Sequence, residues 1–266
     1  MKKGVVSKLY VLLIMLYLYV PIIVLMIMGF NKSRYNSMPF EFSLEWYQAL
    51  IEDTVLQKAA LNSVLLALVT GIICVILATL FILGERYLSN RTKSIFNSIS
   101  MMPMSIPWLI MGLSLLLLIR FFDFDKSMFF VAAGHVVISL PYSLLVLKAR
   151  VQSMDRALEE MSASLGASSL TTFRRITLPA IAPAMVAGGF LSFMISFDNF
   201  AISYFLMPAG VSTLPIEIQS SIKFGFTPEI NAVSTVIIGV SLLCLAVVGL
   251  IMGSSLKTMV GRSENK

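Results

Sequence analysis

The sequence predicts an all-α membrane protein, a single domain over residues 1–266 with six transmembrane helices and both termini in the cytoplasm. Hydrophobic residues occupy 58% of the 266 positions, and the mean hydropathy is +0.89. Six stretches are long enough to cross a bilayer, which takes roughly 18 or more apolar residues per helix. The predicted spans lie at about 9–31, 59–84, 94–119, 127–147, 179–206 and 230–256.

Lysine and arginine residues predict the orientation of these spans. With six crossings, fourteen of them fall on the side of the termini and six on the opposite side. Because cytoplasmic loops carry the excess of basic residues, this bias places the termini and the loop at 150–179 in the cytoplasm. The formal net charge of +6 is scattered over short loops, so it indicates membrane topology and not a nucleic-acid partner.

The first span begins after a cluster of lysines that resembles the start of a signal peptide. Its apolar run is too long for a signal core, so we expect it to be retained as a span. In the outer loop that follows, Trp46 and Tyr47 stand beside acidic residues. Amphipathic aromatic residues of this kind mark the membrane interface, and they predict a short helix along the membrane surface.

The third and fourth spans each carry one unusual feature. Pro103 and Pro107 each remove a helical hydrogen bond, so we expect the third span to kink or break there, either for packing or to line a cavity. His135 is the sole histidine and lies in the fourth span. It has no second ligand candidate nearby, so we expect a packed residue and predict no metal site.

The fifth span combines a polar stripe with a carboxylate. Helical periodicity places five small or polar side chains on one face, where they allow close helix approach or line a wet path. They are Gly188, Ser192, Ser196, Asn199 and Ser203. An ionised Asp198 at bilayer depth costs at least about 2.5 kcal/mol, so it is expected to pair with another helix or to face a substrate path, and the helix can break near it.

An irregular outer segment follows the fifth span. Glycines and prolines are frequent from Met207 to Glu229, and a short helix is predicted at Ile216–Ile222. Glu217 adds a carboxylate on the side from which a substrate would arrive, and a solvated loop charge is the alternative interpretation.

The polar loop between the fourth and fifth spans has a helical pattern of its own. Three apolar residues share one face at helical spacing. They are Leu158, Met161 and Leu165. Asp155 is a candidate cap for this helix and Gly166 its expected end, while Pro179 is expected at the start of the next helix. The loop is therefore predicted to be a helix, a glycine turn and a second helix.

This loop resembles the cytoplasmic EAA loop of permeases of ATP-binding-cassette (ABC) importers. The family pattern is Glu-Ala-Ala, three residues, Gly, nine residues, Ile, one residue and Leu-Pro. Five residues match it at these spacings, namely Glu160, Gly166, Ile176, Leu178 and Pro179. Met161 and Ser162 stand where the pattern has two alanines. The chain thus resembles the MetI-like permeases.

Within that family the chain is most similar to the second permease of spermidine/putrescine importers. The matching residues are Phe197-Asp198-Asn199, Leu214-Pro215 and the run from Pro228 to Ala232. The resemblance implies a type I importer permease fold in the bacterial cytoplasmic membrane. It also implies several partners: a dimer of ABC ATPases that binds ATP and Mg²⁺, a second permease subunit that is commonly different, an extracytoplasmic polyamine-binding protein and the lipid bilayer.

The resemblance assigns two sets of residues. Those expected to couple to the ATPase are Glu159, Glu160, Ser162, Leu165, Gly166, Ala167, Phe173, Ile176 and Pro179. Those expected along the substrate path are Ser192, Ser196, Phe197, Asp198, Asn199 and Glu217. No cofactor is expected on this chain.

Several motifs of catalysis are absent from the sequence. It contains no GxxxxGK[ST] phosphate loop, no GxSxG and no HExxH, so we expect a non-catalytic subunit whose ATPase is a separate polypeptide. The predicted function is half of the transmembrane pathway for ATP-driven polyamine uptake. The alternatives are an importer permease for another small solute, an ATP-independent secondary transporter or cation channel whose loop is only structural, and a non-transporting membrane scaffold.

Overall fold

The computed structural model of the chain describes residues 2–33, 38–155, 157–224 and 229–260, and these residues form helices joined by loops. The chain divides into two compact units. One comprises Met1–Lys58 and Glu217–Ala246, and the other comprises Ala59–Ile216 and Val247–Lys266.

The first unit contains the chain start and residues from near its end. Helix α1 spans Lys2–Met28 and helix α2 spans Glu45–Glu52, and parts of three helices shared with the second unit complete it. These are α3 (Thr54–Glu85), α11 (Leu214–Phe224) and α12 (Glu229–Val260). Helix α11 confirms the short helix predicted after the fifth span.

The aromatic residues of the first loop belong to α2, as predicted. The Trp46 Nε1 donates a hydrogen bond to the Asn31 carbonyl over 2.8 Å. The ring of Tyr47 lies 4.9 Å, between centroids, from that of Phe30. The loop is therefore fastened to the end of α1 by one polar and one aromatic contact.

Helix α3 begins at Thr54, five residues before the predicted bound. The Asp53 carboxylate accepts hydrogen bonds from the N–H groups of Val55 and Leu56, each 2.9 Å long. This cap satisfies amide groups that the first turn of a helix leaves without partners, and it extends the helix beyond the apolar run.

The second unit contains the helices between α3 and α11. In chain order they are α4 (Asn90–Met101), α5 (Trp108–Phe121), α6 (Met128–Gln152), α7 (Ala157–Ser164), α8 (Ser169–Thr172), α9 (Leu178–Phe197) and α10 (Phe200–Leu206). Helices α6 and α9 form the most extensive helix pair.

The predicted third span is not one helix. Helix α4 continues into a 3-10 turn at Met102–Ser105, and α5 then leaves at an angle of 106°. Pro103 lies in that turn and Pro107 is the residue before α5, so the predicted break is confirmed. The 14 residues of α5 extend about 21 Å, less than the ~30 Å of a bilayer core, so the segment 94–119 does not form the straight span that the apolar run indicated.

The predicted fifth span also differs from a single helix over 179–206. The helical path begins at Ser169 and continues to Phe197, with a π-helical stretch at Phe173–Thr177. Pro179 lies in the first turn of α9, as expected, although the helical path that leads into α9 already begins at Ser169. Proline cannot donate a hydrogen bond and crowds the carbonyl four residues earlier, and the wider π turn just before it relieves that conflict. Beyond Phe197 the path breaks, and α10 follows.

Four helices in the described part of the chain are long and apolar enough to cross a membrane. They comprise Ser7–Met28, Thr54–Glu85, Met128–Gln152 and Ser169–Phe197. A fifth crossing is obtained if α4 and α5 together count as one bent span. The count of six, the single-domain organisation and the cytoplasmic location of the termini stay predictions.

Candidate functional site

The loop between α6 and α9 folds into the predicted helical hairpin. The Asp155 carboxylate accepts a hydrogen bond of 2.9 Å from the N–H of Ala157, the first residue of α7. Gly166 has a φ of +80°, a left-handed conformation that glycine adopts at low cost. The N–H of Ala167 donates to the carbonyl of Ser162 over 3.1 Å and closes the end of the helix. The cap and the glycine turn are thus confirmed.

One face of α7 is apolar and exposed. The exposed fractions are 49% for Leu158, 56% for Met161 and 89% for Leu165. These are the residues that helical spacing placed together. An apolar surface left uncovered at the end of a helix is typical of a docking site for another protein.

The two arms of the hairpin contact each other. The Oγ of Ser162 lies 2.9 Å from the Oγ1 of Thr172. Ala167, Phe173 and Ile176 are partly buried, whereas Pro179 is exposed. Because the second arm continues as a helix into α9, the hairpin is joined directly to the fifth span.

The two adjacent glutamates of α7 have different surroundings. Glu160 is exposed. Glu159 is 19% exposed, and its Oε2 lies 2.7 Å from Nη1 of Arg86, the residue after α3. The Thr177 hydroxyl donates to Oε1 of the same carboxylate over 2.5 Å. Sequence reasoning assigned Glu159 and Glu160 the same role. The two partners that distinguish Glu159, Arg86 and Thr177, lie far from it in the sequence.

A second polar cluster was missed by sequence reasoning. Glu85, at the end of α3, is 5% exposed, and its Oε1 accepts from Nζ of Lys148 over 3.2 Å and from Nδ2 of Asn97 over 3.0 Å. Lys148 also donates to Oδ1 of Asn97 over 2.7 Å, and Lys93 lies 3.4 Å from Glu85. A buried carboxylate of this kind is stable only with such partners. The cluster links α3, α4 and α6.

The polar stripe of the fifth span lies against α6. The Oγ of Ser143 lies 2.8 Å from both the Gly188 carbonyl and the Oγ of Ser192. Ser192 also donates to the carbonyl of Ser139 over 3.1 Å. A Cβ added at Gly188 would lie 2.9 Å from Leu147 and 3.3 Å from the Cα of Ser143. Of the two interpretations of the stripe, the structure favours close helix approach at this point.

The contact between α6 and α9 is called the α6–α9 seam here, and His135 lies at its end, beside the last turn of α9. It is fully buried; its Nδ1 lies 2.7 Å from the Oγ of Ser196 and its Nε2 lies 3.0 Å from the Oγ of Ser203. The expectation of a packed histidine is confirmed. The two serines belong to α9 and α10, so the imidazole connects the helices on either side of the break. Ser192 and Ser196 are buried and bonded to α6, and their place along a substrate path stays a prediction.

The break itself presents Asp198 and Asn199. Asp198 is exposed and forms no ion pair within the described ranges. Asn199 is buried, and its Oδ1 accepts from the N–H of Ile202 at the start of α10. Its Nδ2 has no hydrogen-bond partner among the residues that the structure describes. Phe197 stacks on Phe193 with ring centroids 5.9 Å apart. Pairing of the Asp198 carboxylate with a cation of another helix is therefore not observed among the described residues.

Glu217 lies in the first turn of α11 and is partly exposed. It belongs to the first compact unit, whereas Asp198 belongs to the second. Groups of three or more candidate metal ligands are not found where the structure is described.

The chain combines apolar helices of membrane-crossing length with two helix breaks, one beside prolines and one beside a carboxylate. This combination is typical of α-helical membrane transport proteins. The chain belongs to the family of binding-protein-dependent transport system inner membrane components, whose family model matches residues 76–258. Members of this family are the non-catalytic permease subunits of ABC importers, embedded in the inner membrane, and ATP is hydrolysed by a separate subunit.

Curated relatives cover most of the chain. It is 34% identical over 226 residues to the spermidine/putrescine transport system permease protein PotC of Haemophilus influenzae, covering 85% of this chain and 88% of the relative. It is also 34% identical over 230 residues to the putrescine transport system permease protein PotI of Escherichia coli, covering 84% and 82%.

The fold agrees with solved importer structures. A bacterial ABC transporter involved in the import of the acidic polysaccharide alginate superposes with a TM-score of 0.68 at 15% identity, covering 94% of this chain and 95% of the other. The chain therefore has the MetI-like importer permease fold.

Proposed function

We propose that this chain is one permease subunit of an ATP-driven importer of polyamines such as spermidine and putrescine. The observation that carries the proposal is the identity of 34% to PotC and to PotI over 85% and 84% of the chain. The partners are an ABC ATPase dimer, a second permease subunit and an extracytoplasmic binding protein, and together with the bilayer they complete the transporter.

The hairpin from Asp155 to Pro179 is the segment that couples this chain to the ATPase. Its exposed apolar face offers a docking surface, and its second arm continues into α9. Nucleotide-driven movement of the ATPase would then be transmitted to the fifth span along the helical path that begins at Ser169.

Asp198 is the residue of this chain best suited to meet a polycation. Its carboxylate is exposed at a helix break and has no cationic partner in the described residues. Phe197 presents an aromatic ring beside it, and an ammonium group is attracted to both a carboxylate and an aromatic face. Asn199 fixes the start of α10, and Glu217 adds a carboxylate in α11.

The test is reconstitution of this chain with its ATPase, second permease and binding protein in liposomes. We expect ATP-dependent uptake of labelled spermidine or putrescine, and we expect Asp198→Asn to lower that uptake while Asp125→Asn, at a fully exposed side chain, leaves it unchanged. ATP-dependent uptake of a different solute in place of both polyamines would overturn the substrate assignment.

A second measurement addresses the energy source. Gly166→Pro and Glu160→Lys are expected to abolish ATP-dependent uptake while the chain remains inserted in the membrane. Uptake at the normal rate by both variants would favour an ATP-independent transporter or channel.

A further inference from the structure

The two neighbouring glutamates of the coupling hairpin differ enough in their contacts to have different tasks. We propose that Glu160 faces the ATPase, whereas Glu159 is a positioning residue that ties the hairpin to the ends of two membrane helices. The inference rests on the proposed function, because it concerns how an ATPase moves this chain.

The contacts of Glu159 point into the chain. Both carboxylate oxygens are used, one by Arg86 at 2.7 Å and the other by Thr177 at 2.5 Å. Thr177 is only 3% exposed. Glu160 is exposed, so a protein that binds α7 can reach its carboxylate, while Glu159 stays bonded within the chain.

The two partners of Glu159 lie next to the ends of two membrane helices. Thr177 immediately precedes α9, and Arg86 immediately follows Glu85, the last residue of α3. Glu85 is itself held by Lys148 of α6 and Asn97 of α4. A displacement of α7 is thus passed through one carboxylate to α9 and to the group of helices joined at Glu85.

Without this link, α7 would reach α9 through the turn at Gly166 and the contact between Ser162 and Thr172. A turn at glycine transmits the direction of a movement poorly, because the glycine backbone can adopt many φ/ψ conformations. Partly exposed ion pairs contribute little to stability, and Arg86 is 33% exposed. The expected role of Glu159 is therefore to transmit movement, with only a small contribution to folding.

The first experiment compares Glu159→Gln with Glu160→Gln in the reconstituted complex. We expect Glu159→Gln to retain the ATPase at the wild-type ratio and to hydrolyse ATP, but to import at least about fivefold less solute per ATP, since a charge-assisted hydrogen bond has been weakened. Glu160→Gln is expected to lower ATPase affinity instead. Asp125→Asn removes an exposed carboxylate of comparable charge and serves as the matched control.

A charge exchange tests whether the link itself matters. Arg86→Glu combined with Glu159→Arg is expected to recover most of the solute imported per ATP, because the pair is restored with its signs reversed. Thr177→Val removes only the second contact and is expected to give a smaller loss than Glu159→Gln. If the Glu159→Gln chain does not insert and fold, these two variants provide the same comparison.

Hydrogen–deuterium exchange supplies a readout that needs no solute. Nucleotide is expected to change exchange in both α7 and the start of α9 in the wild-type complex, but only in α7 in Glu159→Gln. Equal changes in both helices of the variant, or loss of ATPase binding as the main effect of Glu159→Gln, would overturn the inference. A wild-type complex that binds ATPase but imports no polyamine would overturn only the substrate proposal, and the exchange comparison would still decide the role of Glu159.

Discussion

The coupling hairpin and the α6–α9 seam use polar residues in opposite ways. In the hairpin, apolar side chains such as Leu165 are exposed, and several polar groups bond to near neighbours in sequence. In the seam, the serines and His135 are buried and bond to partners about 45 to 68 residues away in the chain. The difference separates a surface that we propose binds another protein from an interface that holds one chain together.

Gly188→Leu should affect the seam most. The added side chain would enter a space where even a Cβ lies 2.9 Å from Leu147, so we expect the free energy of unfolding to fall by about 3 kcal/mol or more. Thermal unfolding of the purified chain in detergent measures this. Gly239→Leu is the matched control, because a Cβ there meets no atom within 4 Å. Equal melting temperatures for the two variants would contradict close packing at Gly188.

His135→Ala should have the next largest effect. It leaves the hydroxyls of Ser196 and Ser203 without their imidazole partner, at a cost of about 2–3 kcal/mol for the buried groups together. We expect a lower melting temperature and reduced uptake, since α9 and α10 lose a shared contact. His135→Asn should recover part of the loss. A melting temperature equal to that of the wild type would show that the histidine does not secure the break.

Gly166→Val should have a smaller effect on stability and a large one on uptake. A β-branched residue is strained at the φ of +80°, by about 1–2 kcal/mol, which distorts the hairpin turn. Gly166→Asn is the control, because asparagine tolerates this conformation. ATP-dependent uptake distinguishes the two variants, and similar losses in both would mean that the turn geometry is not what matters.

Leu165→Ser should have the smallest effect on the isolated chain. Because 89% of this side chain is exposed, we expect the free energy of unfolding of the chain to change by less than about 0.5 kcal/mol. Binding of the ATPase, measured by titration of the detergent-purified complex, should nevertheless weaken. A marked drop in melting temperature would place Leu165 in the packing of the chain and weaken the contrast between the two regions.

The sequence indicated the features that depend on local pattern. Apolar runs predicted the long helices, the spacing of Gly166 predicted the hairpin turn, and two prolines predicted the break before α5. The start of α3 at Thr54 was missed because a single cap at Asp53 decided it. The direct continuation of the second arm into α9 was missed because it depends on the π turn just before Pro179.

The functional contacts were less accessible to sequence reasoning. Periodicity grouped the residues of the fifth-span stripe correctly, but it gave no indication that Ser192 and Ser196 face α6. The different surroundings of Glu159 and Glu160 depend on Arg86, 73 residues away, and periodicity carries no information about such a pairing. Tertiary partners, and not the local pattern, decide these assignments.

The exposure of Leu165 and its neighbours has a consequence for biogenesis. An unassembled copy of this subunit exposes these apolar side chains to water. Binding of the ATPase would cover them and shift the population toward the complete complex by mass action. We therefore expect unassembled copies of this subunit to be recognised by chaperones and proteases, so that the hairpin proposed to couple to the ATPase would also control subunit stoichiometry.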